Sequence, residues 1–225
     1  MKKLLYVTHS AGYRHEVLPH SQEVIHRLGE ESGAFEATAT DNVADVDWAD
    51  LARYDAIAFC TTGDLPMSEG AKQALIDFVR GGKGFIGIHN ATDTLYGYAP
   101  YGEMIGGYFN GHPWHQEVGI IVEDHDHPAT RDLPDQFRIH DEIYTHRNWS
   151  REKTRVLMRL DNSTVDLSRA AGNRADNDFA MAWCHPFGAG RVFYTALGHD
   201  RPAWDSDLFR KHLLGGIRWA LRDAD

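Results

Sequence analysis

Short apolar runs alternate with amphipathic stretches along the first ninety residues. These runs predict a strand at 3–8, a short alternating strand at 35–40, and buried strands at 54–60 and 83–88. Between them, apolar residues recur every three or four positions over about 16–30, and again from Ser68 to Arg80, which predicts two helices. Residues 46–51 predict a short helix or a turn. Such alternation of strand and helix predicts a parallel sheet that helices cover on both faces.

The rest of the chain has a different pattern. Residues 90–117 are rich in Gly, Tyr, His and Pro, which predicts a long functional loop with a short helix near 101–108. The further predicted elements are strands at 117–123, 136–145 and 156–160, a hairpin of 179–185 with 191–197, and a helix at about 204–222. Because no linker or repeat interrupts this order, we predict a single α/β domain over residues 1–225.

Charge and composition narrow the function classes. The net charge is −10 and the basic residues are not clustered, which argues against a nucleic acid or an anionic membrane surface as partner. The apolar stretch near the N-terminus is too short for a membrane span and has no cleavage motif. Cys60 and Cys184 lie in strand-like segments, so we interpret them as reduced core thiols. We therefore expect a cytoplasmic protein.

Three histidines directly follow predicted strands: His9, His89 and His199. If these strands are parallel, their carboxyl ends share one edge of the sheet, where open α/β folds bind ligands. Imidazole is both a metal ligand and a proton carrier near neutral pH. The strand ends therefore predict a histidine-rich site, although no short spacing in the sequence supplies the three or four ligands that zinc needs.

His89 occupies the centre of a Gly-x-His-x-Ala turn. A nucleophile elbow has small residues at these flanking positions and presents one side chain at the sheet edge. Because histidine stands where a hydrolase would carry Ser or Cys, acyl transfer from this position is disfavoured. The alternative is a histidine that only ends a strand.

Two further segments carry candidate chemistry. The loop 106–115 combines glycines with His112, Trp114 and His115. In the strand at 136–144, alternation puts Asp141 on the apolar face and Glu142 on the polar face, where Glu142 could be a base or a ligand or could simply be solvated.

Taken in order, several segments resemble the ThuA-like family, which is named after a trehalose-utilisation protein. The matching pieces are Thr8-His9 with His15, and residues 81–89, 106–109 with 112–113, 127–130 with Leu133, 141–144 and 190–199. The resemblance runs nearly from end to end. It implies a three-layer, flavodoxin-like fold of the class I glutamine-amidotransferase-like type, and a role in the catabolism of disaccharides or their keto derivatives. The amidotransferase cysteine is absent from the elbow, so glutaminase activity is not expected.

Our leading hypothesis is an enzyme that acts on a sugar or keto-sugar by isomerisation, elimination or hydrolysis with the help of a divalent metal, with zinc as the expected ion. The expected metal ligands are His9, His89, His112 and His199, and the expected catalytic residues are His89, Glu142 and His199. Asp93 or His15 would orient a ligand. The expected substrate-binding residues are Tyr13, His15, Asp93, Tyr98, Trp114 and Trp204, of which the aromatic ones would form a stacking rim.

Two alternatives belong to other classes. The first is a non-catalytic sugar-binding or regulatory module that retains the pocket. The second is a hydrolase that uses Cys184 with His199. A homo-oligomer is expected from the resemblance alone.

Overall fold

A nine-stranded sheet forms the centre of the protein in the computed structural model, which describes residues 1–225. The strands are β1 (Lys2–Val7), β2 (Phe35–Thr40), β3 (Ala56–Phe59), β4 (Gly84–Ile88), β5 (Tyr108–Phe109), β6 (Trp114–Val122), β7 (Gln136–Ile143), β8 (His146–Arg147), β9 (Arg155–Leu160), β10 (Ala180–Phe187) and β11 (Gly190–Thr195). The order in the sheet is β2-β1-β3-β4-β11-β10-β9-β6-β7, and β5 pairs separately with β8.

The sheet has a parallel half and an antiparallel half. Strands β2, β1, β3, β4 and β11 pair parallel with one another. From β11 onward, β10, β9, β6 and β7 pair antiparallel. Strands β3 and β4 are buried at every position, as expected for strands that are covered on both faces. The predicted α/β fold is confirmed, and the core of its central sheet is parallel as expected, whereas the other half is antiparallel.

Five helices flank the sheet: α1 (Leu18–Ser32), α2 (Glu69–Arg80), α3 (Ala99–Ile105), α4 (Arg201–Asp205) and α5 (Asp207–Ala220). Helix α4 contacts both α1 and α5, whereas α2 contacts α3, so the helices form two separate groups. Helix α2 begins where the Ser68 side chain accepts a hydrogen bond from the Ala71 N–H. The C-cap of α1 is Gly33, with a φ of +65°.

The structure corrects one predicted element and defines another. The single helix expected at 204–222 is divided at Ser206, whose hydroxyl accepts a hydrogen bond from Phe209 and starts α5 anew. The helix or turn expected at 46–51 is a turn, closed by a hydrogen bond from the Asp50 N–H to the Asp47 carbonyl, between two 3₁₀ turns at Val43–Asp45 and Leu51–Arg53. The hairpin is confirmed as β10 and β11. No helix in the structure is both long enough and apolar enough to span a membrane.

Candidate functional site

Two of the three strand-end histidines meet at the sheet edge. Strands β4 and β11 are direct neighbours, and His89 and His199 follow their carboxyl ends. The His89 Nε2 atom lies 3.1 Å from the His199 Nδ1 atom. The parallel register of these two strands therefore brings together residues 110 positions apart in the sequence.

The turn after β4 has the backbone geometry of an elbow. His89 has a φ of +44°, in the left-handed region that non-glycine residues rarely adopt. Its side chain is fully buried, and a 3₁₀ turn over His89–Thr92 follows directly. The small flanking residue is required, because a Cβ at Gly87 would lie 2.9 Å from Tyr194 Cδ2. The absence of a side chain at Gly87 thus allows the strained backbone that presents His89 at the sheet edge.

The backbone fixes the tautomer of His89. Its Nδ1 atom lies 2.7 Å from the carbonyl oxygen of Ala196. Because a carbonyl only accepts hydrogen bonds, Nδ1 carries the proton and donates it. In the neutral ring, Nε2 therefore keeps a lone pair directed at the other residues of the cluster.

Glu142, near the end of β7, lies between three histidines. Its Oε2 atom is 3.1 Å from His199 Nδ1 and 3.6 Å from His89 Nε2, and its Oε1 atom is 3.1 Å from His112 Nδ1. The sheet order makes this contact notable, because β7 is five places from β4. A flat sheet would separate those strands by about 24 Å. The antiparallel half must therefore curl back over the sheet edge.

His15 completes a group that we call the inner cluster: His15, His89, Glu142 and His199. One ligand atom from each residue lies within 4.8 Å of the others. The His15 ring is edge-on to those of His89 and His199, with centroids 5.2 and 4.8 Å away. Its Nδ1 atom lies 3.1 Å from the Asn90 amide nitrogen, whereas its Nε2 atom is buried without a partner.

Charges and burial set opposite pKa shifts within the inner cluster. Burial and the neighbouring histidines lower the pKa of His15 to about 3, so its ring is neutral. Burial raises the pKa of Glu142, but the neighbouring His199 and His89 imidazoles outweigh it and hold the net pKa well below the usual range. Burial lowers the pKa of His199, but the Glu142 carboxylate outweighs it and raises the net pKa. Both shifts favour the charged forms of Glu142 and His199, so each side chain stabilises the charge of the other.

Asp141 holds the turn that carries His199. Its fully buried carboxylate accepts hydrogen bonds from the backbone N–H groups of Gly198, His199 and Asp200 at 2.6, 2.9 and 3.1 Å. A fourth comes from the N–H of Glu142 at 3.1 Å. Alternation along the strand predicted Asp141 on the core face but indicated no role for it. The role could have been inferred from the presence of an acidic residue on an apolar strand face, because a buried carboxylate needs hydrogen-bond donors.

The sequence profile of the ThuA family, described as trehalose utilisation, matches residues 3–220. The chain belongs to the ThuA family. Its fold is consistent with the glutamine-amidotransferase-like superfamily, as the resemblance implied. No curated protein matches the chain.

Solved structures share the fold at low sequence identity. A ThuA-like protein from Bacteroides uniformis is 20% identical with a TM-score of 0.80, and the match covers 97% of this chain and 91% of that one. One from Parabacteroides merdae is 19% identical with a TM-score of 0.79, covering 99% and 90%. PurLQS from Thermotoga maritima is 15% identical with a TM-score of 0.57, covering 99% of both chains. These likenesses show the fold alone.

The structure separates His9 from the expected metal ligands. Strand β1 is two places from β4 in the sheet, so its end is about 10 Å away. The His9 Nδ1 atom instead accepts a hydrogen bond from the Val43 N–H. The loop after β1 supplies His15 to the inner cluster in place of His9. His112 reaches the cluster only through Glu142, and its side chain is 53% exposed.

Three of the four aromatic residues expected in a stacking rim are placed elsewhere. Trp114 and Trp204 are fully buried, and their indole N–H groups donate to the carbonyls of Asp166 and Gly198. Tyr98 donates to Gln73 of α2. The two tryptophans therefore offer no face to a ligand, which corrects their expected role. Tyr13 is 66% exposed and remains available.

Asp93 and Tyr144 also border the inner cluster. Asp93 is half-buried and accepts a hydrogen bond from the Tyr96 hydroxyl at 2.6 Å, and burial raises its pKa. The Tyr144 ring packs over His89, with 4.1 Å between the centroids. Tyr144 was not among the expected site residues, although alternation placed it on the same strand face as Glu142.

The surface beside His199 forms a depression of about 430 Å³. It is lined by Tyr13, Glu16, Val17, His20, His199, Asp200, Arg201 and Pro202. A larger cavity of about 510 Å³ lies beside α3 and includes Tyr108 and His185, but it contains no residue of the inner cluster. Of these two cavities, the smaller depression is therefore the one that reaches the inner cluster.

The thiol hydrolase alternative is wrong for Cys184. This side chain is 2% exposed on β10. Burial raises the pKa of its thiol to about 12, so the thiolate that attacks a substrate is not available near neutral pH. Cys60 is likewise buried, and both cysteines are free.

Proposed function

We propose that the protein is an enzyme that acts on a sugar or keto-sugar and uses a divalent metal ion, zinc by preference, held by the inner cluster. The observation that carries this proposal is the convergence of three imidazoles and one carboxylate within 4.8 Å of one another. Three or four His and carboxylate donors are the ligand set that zinc prefers. The metal set expected from the sequence is thereby revised, with His15 and Glu142 in place of His9 and His112.

The hydrogen bonds around the inner cluster support a metal ligand set. The backbone carbonyl of Ala196 holds His89 in the tautomer that leaves Nε2 free for a metal. Asn90 Oδ1 and His15 Nε2 are both buried without partners. If the Asn90 amide rotates by half a turn, Oδ1 accepts the Nδ1 proton of His15. The Nε2 atom, which is buried without a partner, then becomes an unprotonated donor atom.

The residues have distinct roles in this proposal. A bound divalent ion would polarise a carbonyl oxygen of the substrate. Glu142 suits a ligand better than a base, because its lowered pKa makes its carboxylate a weak proton acceptor. Proton transfer then falls to His112, which is half-exposed and lies 3.1 Å from Glu142. Asp93, whose pKa is raised by burial, is the other group suited to accept a proton.

The substrate class rests on the family and on the opening beside His199. The family is described as trehalose utilisation. The depression combines the exposed ring of Tyr13 with charged side chains such as Glu16 and Arg201. An aromatic face and polar hydrogen-bonding groups together suit a polyhydroxylated ring. We propose that the sugar enters here and reaches the inner cluster past His199.

Elemental analysis of tag-free protein tests the proposal. His89→Ala should contain about one divalent ion per chain less than the wild type, because it removes one of four donors from a closed set. His9→Ala is the matched control, since it removes a strand-end histidine that lies outside the inner cluster. Turnover of a panel of disaccharides and keto-disaccharides is then compared for the wild type, His89→Ala and Glu142→Gln.

The results discriminate between the functions. A loss of metal and turnover in His89→Ala, with His9→Ala unchanged, supports the metal-dependent enzyme. If the wild type binds sugar without turnover and its binding does not depend on metal, the protein is a sugar-binding module. Turnover that survives in both site variants would contradict the proposed mechanism.

A further inference from the structure

A second group of metal-type donors lies outside the inner cluster, at its exposed rim. Asp200 Oδ2 is 2.6 Å from His115 Nε2 and 3.4 Å from His140 Nδ1. His199 borders the same carboxylate from the other side, with its Nε2 atom 3.9 Å from Asp200 Oδ1. Three imidazoles therefore surround one carboxylate. We call His115, His140 and Asp200 the rim cluster.

The sheet register explains why these residues converge. His115 on β6 lies directly opposite Glu142 on β7, and His140 lies two residues before Glu142. Alternation puts all three side chains on one face of the antiparallel pair. The rings of His115 and His140 have centroids 5.5 Å apart. Asp200, at the N-cap of α4, brings its carboxylate onto this face.

We propose that the rim cluster binds a second divalent transition-metal cation, and that His199 lies between the two metal sites. His199 directs Nδ1 towards Glu142 in the inner cluster and Nε2 towards Asp200 in the rim cluster. His115, His199 and Asp200 each have a ligand atom within 4.8 Å of those of the other two. This inference goes beyond the proposed function and does not depend on metal in the inner cluster.

The donor types and their exposure define the kind of site. Imidazole with carboxylate favours zinc and similar ions over magnesium or calcium, which prefer oxygen ligands. The side chains of His115 and His140 are 46% and 53% exposed. A cation held there would keep open coordination positions for water or for a substrate oxygen. Asp200 also lines the depression beside His199, so those open positions face the proposed sugar entrance.

The chain contains a matched pair that lacks a third donor. His125 Nε2 lies 3.1 Å from Asp135 Oδ1, and the His125 side chain is 41% exposed. Its exposure and its carboxylate partner resemble those of His115, but no further His, Cys, Asp or Glu joins the pair in a potential metal group. His125→Ala is therefore the control for adventitious binding by a surface histidine.

The experiment measures zinc binding by the tag-free, full-length protein. Equilibrium dialysis against Zn²⁺, followed by elemental analysis, is applied to the wild type, His89→Ala, the double variant His115→Ala/His140→Ala, and His125→Ala. Circular dichroism and the thermal midpoint verify that each variant folds. We expect the double variant to lose about one equivalent, with affinity for that ion at least about tenfold weaker. His89→Ala should keep this equivalent, and His125→Ala should match the wild type.

The two proposals can fail separately. If the folded double variant binds as much zinc as the wild type, or if His125→Ala loses as much as the double variant does, the rim site is overturned. If the only bound zinc is the one lost in His89→Ala, the inner site stands and the rim site falls. If the double variant loses an equivalent and His89→Ala loses none, the rim site stands and the inner site falls.

Discussion

Asp141 has the most defined structural role of any single residue near the site. Its carboxylate is fully buried, and it is satisfied by four backbone N–H groups rather than by a cation. Burial raises the pKa of Asp141, whereas the hydrogen bonds from the backbone oppose this shift. The turn that carries His199 and Asp200 is thus folded around one side chain. Both the inner and the rim cluster depend on its position.

Replacement of Asp141 by Asn keeps the size of the side chain but puts an NH₂ group against backbone donors. At least one buried N–H then loses its acceptor, so we expect the free energy of unfolding to fall by about 2 kcal/mol or more. Denaturant titration measures this loss. Amide exchange at Gly198, His199 and Asp200 should also accelerate.

Asp166→Asn is the control for this change. Asp166 also accepts a hydrogen bond from a backbone N–H, that of Ser168, but it does so on the surface. Its variant should unfold close to the wild type. Equal stability of Asp141→Asn and the wild type would show that the buried carboxylate does not hold the turn.

The elbow after β4 shows how a strand, a turn and a neighbouring strand fix one functional side chain. Tyr194 on β11 packs against Gly87 and donates a hydrogen bond to the His89 carbonyl at 2.7 Å. Its hydroxyl also lies 3.0 Å from that of Thr92. Strand β11 therefore holds the strained His89 in place. The contacts of the Tyr194 hydroxyl also restrain its ring from moving away from position 87.

A methyl group at position 87 should consequently destabilise the elbow. Gly87→Ala would place a Cβ 2.9 Å from Tyr194 Cδ2 and 3.1 Å from Ile105 Cδ1. We expect a loss of about 1–3 kcal/mol in the free energy of unfolding, which is typical of overpacking in a dense core. Gly97→Ala is matched, because a Cβ there meets nothing within 4 Å. Similar unfolding midpoints for the two variants would contradict this reading of the elbow.

Local pattern revealed the strands and the residues at their ends, but not which strands are neighbours. The fold class and the positions of His89 and His199 followed from apolar runs that end in histidine. His9 follows the same pattern, yet β3 lies between β1 and β4 and keeps it away. His15 enters through a loop whose path depends on tertiary contacts. No local signal distinguished these two histidines.

Long-range curvature and burial explain the other differences. Alternation along the strand identified Glu142 as a candidate. Its contact with His89 depends on the curvature of the antiparallel half, which cannot be predicted from a short segment of sequence. Trp114 and Trp204 looked like stacking faces because polar or glycine-rich segments surround them. Each instead buries its ring and satisfies its indole N–H with a backbone carbonyl.

Across the whole molecule, the two halves of the sheet contribute different parts of the candidate chemistry. The parallel half supplies the edge with His89 and His199. The antiparallel half supplies Glu142 and the two rim histidines, His115 and His140. The proposed metal sites therefore depend on how the two halves are joined. Conditions that loosen the fold globally should also weaken metal binding.

Acid is one such condition, because several histidines outside the inner cluster are buried as neutral rings. Burial is the main cause that lowers the pKa of His127 and His146 to about 3, and that of His212 to about 4. In the unfolded chain these side chains titrate near about 6.5. Between the folded and unfolded pKa values, the unfolded state binds more protons than the folded state. The contribution of these histidines to stability is therefore fully present above about pH 6.5 and decreases as the pH falls towards 4.

We expect these three histidines together to lower the free energy of unfolding by up to about 4 kcal/mol per pH unit within this window, about 1.4 kcal/mol for each. Urea titrations of metal-free protein from pH 7 to pH 4.5 measure the slope. His212→Leu removes one buried titrating ring and should reduce the slope by up to about 1.4 kcal/mol per pH unit, although it loses the hydrogen bond from His212 Nδ1 to the Ala129 carbonyl. His26→Asn, on the exposed side of α1, controls for loss of a histidine. If the free energy of unfolding is constant down to pH 4.5, these rings take up protons in the folded protein as readily as in the unfolded chain, which would contradict the prediction.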